Sequence, residues 1–197
     1  MANMMKILRA LFIPLCLIAS NSSHAQHGPE FGHGTVTPVR LGTLLVNAGF
    51  GAGSGYEGDY YNTAFGLKAA IERGMWQAGP GVVTLGGEVG GSFSNGGYNG
   101  GNNYDNYKSN TIVLAVRAAW HYGWLVPGLD TYGGFSAGLG FHHYEYDHPA
   151  AYSHNTVIPV PGIFVGASYF VTPGFGFSAE AGHDITDIQI GVVFKIE

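Results

Sequence analysis

Four ionisable side chains carry most of the chemistry this sequence could do: Lys68, Glu88, Arg117 and Glu180. Each stands in the middle of an alternating run, in phase with glycines and out of phase with large apolar residues. Two cations and two anions on one cramped face should pair, because an isolated buried charge is very costly. The set therefore reads first as a structural plug of salt bridges; a gate or a selectivity constriction would use the same groups. A second cluster, Phe141-His142-His143-Tyr144-Glu145-Tyr146-Asp147-His148, offers imidazole and carboxylate of the kind that hold zinc or copper. His142, His143 and His148 are its weak metal candidates. Adjacent histidines without a repeated ligand spacing describe a solvated loop better than a preorganised site, so no metal or other cofactor is expected. A third set is aromatic: Tyr98, Tyr104 and Tyr107 among Gly and Asn, with Tyr144 and Tyr146 further on. Tyr gives contact area at low entropic cost and Gly and Asn give adaptability, which suits a contact surface for an extracellular partner.

Of the elements that hold these groups, the clearest is the last. Ile188, Ile190, Val192, Phe194 and Ile196 share one face of an extended strand, and Gln189, Gly191, Val193 and Lys195 share the other. Nine residues with period two match a tilted strand crossing a bilayer. The pattern recurs upstream at about 41–51, 61–72, 82–94, 111–122, 130–142, the run ending at Val171, and 175–182. That makes eight strands. Residues 52–60, 95–110 and 143–157 read as long polar loops, the second, fourth and sixth connections as shorter Gly- and Pro-bearing turns, and 183–186 as a short last link that departs from this alternation. Thr172-Pro173-Gly174 fits a type II turn. Long loops at one rim and short turns at the other are the outer-membrane barrel layout.

Alternation alone leaves open which face meets water, since a soluble barrel shows it reversed. The polar face is mostly glycine (Gly49, Gly66, Gly86, Gly138 and Gly191 among others) where a solvated sheet would carry Lys, Glu and Thr. Glycine weakens a strand unless something approaches closely, as inside a narrow barrel. Trp120, Tyr122, Trp124 and Phe175 would lie near the short-turn rim as an interfacial girdle. Only 11% of the chain is charged against roughly 25% for a soluble domain.

The start of the chain reads as an export signal: Lys6 and Arg9, an apolar run over 10–19, and Ser23-His24-Ala25 before Gln26. Residues 1–25 are expected to be removed, Cys16 with them, and 26–40 to form a flexible leader. Thirteen acidic residues then stand against six basic ones, which argues against nucleic acid as a partner. A thiol-free exported chain suits the envelope of a Gram-negative cell.

On eight alternating strands, the signal, the loop asymmetry and the closing Gly191-Val192-Val193-Phe194 run, residues 41–197 resemble the small outer-membrane β-barrel superfamily of OmpA/OmpX type. The resemblance implies an all-β, eight-stranded, antiparallel up-and-down transmembrane barrel in the outer membrane. Its partners would be membrane lipid, the barrel-assembly machinery and an extracellular partner reached through 95–110 and 143–157. Lipid A deacylases on such barrels carry His-x-Ser-Asn, whereas Ser153-His154-Asn155 has another order, and Ser178, Glu180 and His183 match no such motif. No enzyme is expected. The leading expectation is an envelope-structural or contact role with a plugged, porin-like lumen; a narrow solute channel and a soluble periplasmic ligand-binding barrel are the alternatives.

Overall fold

The computed structural model describes residues 38–53, 65–99, 104–146 and 152–197, with the strand tips at 95–99, 104–107, 144–146 and 152–154 given by backbone alone. The expected signal peptide, most of the leader and His148 lie outside the described residues. Eight strands follow in order: β1 Leu44–Ala52, β2 Phe65–Ala78, β3 Gly81–Asn99, β4 Tyr104–Gly123, β5 Leu129–Tyr146, β6 Tyr152–Thr172, β7 Phe175–His183 and β8 Ile188–Ile196. Each pairs antiparallel with its sequence neighbour, and β1 pairs with β8, which closes the ring. Closure removes both sheet edges, the only way a sheet can satisfy its backbone in lipid.

The strands tilt. A ladder row leaving the foot of β1 at Leu44 passes Arg73, Leu85, Ala118, Phe135, Ile163 and His183, and by then it has climbed to the top of β7. The outward register is a continuous apolar belt: Leu114 is 63% exposed, Ile163 67% and Ile190 53%. On β4 that belt runs from Ile112 to Tyr122, eleven residues, the length a tilted transmembrane strand needs. Trp76, Trp120, Tyr122, Trp124 and Tyr169 border it at the short-turn end, with Trp120 stacked on Tyr122 at 5.7 Å and Tyr122 edge-on to Trp124 at 5.0 Å. Apolar outside, polar inside and aromatic at the rim is the transmembrane arrangement. Leu114 and Ile190 point outward, so the belt is not the lining of a soluble ligand cavity.

Two expected loops are mostly strand. β3 runs on to Asn99 and β4 starts at Tyr104, so the long connection expected over 95–110 narrows to 100–103. Likewise β5 reaches Tyr146 and β6 starts at Tyr152 in place of a loop over 143–157. Beyond the belt both sheet faces leave lipid, so the hydrophobic contrast fades while the backbone ladder continues. Pro159 and Pro161 sit inside β6 because its pairing with β7 starts only at Ile163, leaving an edge where a missing N–H costs no ladder bond. Gly174 is also not the positive-φ glycine of a type II turn; at the other two short turns Gly79 and Gly128 take that conformation.

Candidate functional site

The bore is closed at three levels. At the short-turn end Val39, Leu45, Phe170 and Val193 form an apolar floor, with Val39 fully buried. Of the expected leader only Pro38–Arg40 is described, and these residues are tied down: Thr43 N donates to Arg40 O (3.1 Å), Gly42 N to Gly74 O (2.9 Å), and Lys195 Nζ to Pro38 O (3.2 Å). The same Lys195 ammonium bonds Glu197 and holds that terminal carboxyl below its ordinary pKa.

Above the floor lies the charged layer. Arg117 on β4 is its centre. Its Nε meets Glu72 Oε1 at 2.9 Å, Nη1 donates to Glu88 Oε2 at 3.0 Å, and Nη2 donates to Glu180 Oε2 at 3.0 Å, reaching across the lumen to β7. Lys68 on β2 pairs with Glu180 too, and with Asp184 Oδ2 at 2.7 Å. All of these side chains are almost fully buried. Phe164 presents its ring to the Arg117 guanidinium, 4.0 Å from the centroid, with Lys68 Nζ 5.7 Å away. The guanidinium stacks on a ring and meets three carboxylates at once, two of them through hydrogen bonds, which a planar fork can do and an ammonium cannot. Towards the floor the network continues through Glu72 to Thr84 (2.6 Å) and to His121, whose Nδ1 lies 2.7 Å from Asp130.

The third level is the β7–β8 link. Asp184, Ile185 and Thr186 turn inward and are buried, although a four-residue connection at a rim would ordinarily face water. Asp184 accepts from Ser136 Oγ (3.2 Å) as well as Lys68, and Ile185 packs with Val113 and Ala115 of β4 and Val160 of β6. Replacing Ile185 by Ala should cost about 2 to 4 kcal/mol, as for other buried Ile→Ala truncations, and should open the link to hydrogen exchange ahead of the strands. Equal protection of residues 184–187 in both proteins would show that the side chain does not hold the link.

Lys68, Glu88, Arg117 and Glu180 thus meet in one network. It also contains Glu72, Asp184, His121 and Asp130, with Phe164 and Tyr132 beside it. Glu72 and His121 are each in phase with a named neighbour, four residues from Lys68 and Arg117. Phe164 alternates with Gly162 and Gly166, a signal that was available. Asp184 had none, because an inward-folded link has no periodicity. The histidine cluster is separated: buried His142 faces the bore beside Thr111 Oγ1 (2.6 Å), while His143 faces out and contacts Asn155 (2.7 Å). The two cannot chelate one ion from opposite faces, and no metal-holding group occurs among the described residues. Tyr107 and Tyr146 are register partners across β4 and β5, Tyr144 pairs with Ser109, and Tyr98 and Tyr104 lie at the β3 and β4 tips.

No family model and no curated protein matches the chain. Among solved structures it is similar to Ail, the attachment invasion locus protein of Yersinia pestis, in complex with the heparin analogue sucrose octasulfate (14% identity, 79% of this chain and 96% of that one, TM-score 0.42). It is similar also to the N-terminal β-barrel domain of Pseudomonas aeruginosa OprF (17%, 79% and 98%, TM-score 0.42) and to a de novo designed transmembrane β-barrel (20%, 80% and 98%, TM-score 0.43). Identities and TM-scores this low say nothing about ligand or activity.

Proposed function

We propose that this chain is a non-enzymatic integral protein of a Gram-negative outer membrane, exported by its N-terminal signal and inserted by the barrel-assembly machinery. Its role is to stabilise the envelope or to make contacts through the raised strand tips, and its lumen is plugged. The observation that carries the reading is the Arg117 layer: one guanidinium bonded to carboxylates of β2, β3 and β7 spans the bore from wall to wall. An eight-stranded ring leaves little space beyond what its own side chains fill. The paired tips of β3 to β6, rich in Tyr, Asn and Gly, stand above the apolar belt and form the surface an extracellular partner would meet.

Wild-type protein in planar bilayers is expected to give no steady openings. Steady wild-type openings whose size changes in Glu88→Ala or Arg117→Ala would identify a conducting constriction instead. Fractionation tests the membrane assignment separately: the protein should need detergent for extraction, and release into plain buffer would defeat it. For the contact role, a pull-down with and without residues 95–110 should lose its captured partner in the shortened protein.

A further inference from the structure

Among the described residues of the apolar belt, one formal charge stands in the outward register. Arg73 continues the lipid-facing series Phe65, Leu67, Ala69 and Ile71 of β2, pairs with Leu44 and Leu85 on its two neighbours, and is exposed. It has no ion pair. An arginine on a barrel's lipid face is costly at the midplane and nearly free at the interface, so its height matters. Arg73 lies in the ladder row that begins at the foot of β1, one strand away from that foot, and so at the short-turn interface. Just below it β2 bulges between Gly74 and Trp76, and Trp76 is exposed.

We propose that Arg73, with Trp76 below it, binds the phosphate headgroup of an anionic phospholipid in the leaflet at the short-turn rim. A guanidinium fork matches two phosphate oxygens, Trp favours the headgroup level, and Leu44, Ile71 and Leu85 receive the acyl chains. The apolar flanks select a lipid over a free phosphate ion. The site rests on the bilayer reading given above.

The test reconstitutes wild type, Arg73→Gln and Lys108→Gln into phosphatidylethanolamine vesicles containing phosphatidylglycerol. Each is checked by flotation, extracted in mild detergent and weighed by native mass spectrometry. Wild type should keep phosphatidylglycerol, Arg73→Gln should lose about tenfold in occupancy, and Lys108→Gln, changed beyond the belt, should match wild type. Equal retention by wild type and Arg73→Gln in floating protein overturns this site alone. Displacement of the lipid by millimolar glycerol phosphate would show a plain anion site and overturn the lipid assignment. Failure to float overturns the bilayer reading and the site together. Should Arg73→Gln fail to fold, Arg73→Lys replaces it: loss of retention there supports the bidentate fork, and retention equal to wild type overturns it.

Discussion

Arg117→Met is expected to destabilise the barrel by about 3 to 5 kcal/mol, read as a lower urea midpoint in detergent and a folded band that loses heat resistance. The substitution keeps the unbranched apolar stem, removes the charge, and shortens the side chain by the outer part of the guanidinium. It leaves Glu72 with Thr84 and the more distant His121, Glu180 with Lys68, and Glu88 without its 3.0 Å partner, all in a layer shut off from water by the floor and the link. A buried carboxylate without its cation carries a desolvation cost that nothing repays. The sign follows from the missing partner, and a combined variant shows it. Arg117→Met with Glu72→Gln and Glu88→Gln removes the orphaned charges along with the cation and should regain most of the loss, since a whole buried network can often be neutralised at little cost. An Arg117→Met protein with the wild-type midpoint would show that the layer fills space without holding the wall together. A combined variant no better than the single one would place the loss in the stacking on Phe164, whose centroid lies 4.0 Å from the guanidinium.

That network marks what the sequence could and could not disclose. Strand count, strand direction, the facing of each strand and the meeting of Lys68, Glu88, Arg117 and Glu180 all follow from period two, because lipid outside and a narrow bore inside force opposite residue types onto alternate positions. The signal depends on that contrast and ends where it ends. At the tips of β3 to β6, Asn95, Gly96, Asn106 and their neighbours leave lipid, and strand there looks like loop in sequence. Phe164, Tyr132 and Val193 are large apolar residues in phase with the glycine face; alternation gives their direction, but their size departs from that face's residue type, and they fill the bore between charges. The inward fold of Asp184–Thr186 and the burial of Val39 depend on the distance across a closed ring, which no local window contains.

Gly86 and Gly87 are adjacent on β3, and substituting each by Ala should move stability in opposite directions. Gly86 takes the inward register between Glu72 and Arg117. A Cβ there would fall 2.7 Å from the Cα of Glu72 and closer still to the Ile71 carbonyl, so the atoms in the way are backbone of the paired strand and cannot rotate aside. Relief requires β2 and β3 to part at the level where Arg117 reaches for Glu72 and Glu88, coupling the clash to the charged layer. Gly86→Ala is therefore expected to cost about 3 kcal/mol, at the upper end of what overpacking does, and to reduce the heat-resistant folded fraction sharply. Gly87 faces lipid, and a Cβ on it would meet nothing nearer than the Ala115 carbonyl at 3.5 Å, an ordinary contact. Gly87→Ala should leave folding intact and raise stability by about 0.5 to 1 kcal/mol, the entropy a glycine gives up in a strand, read as a higher urea midpoint. The two variants share composition, strand and height in the membrane, so only the direction of the added methyl separates them. Similar losses from both would mean that β3 resists any side chain there and that close inward approach is not the reason for its glycines.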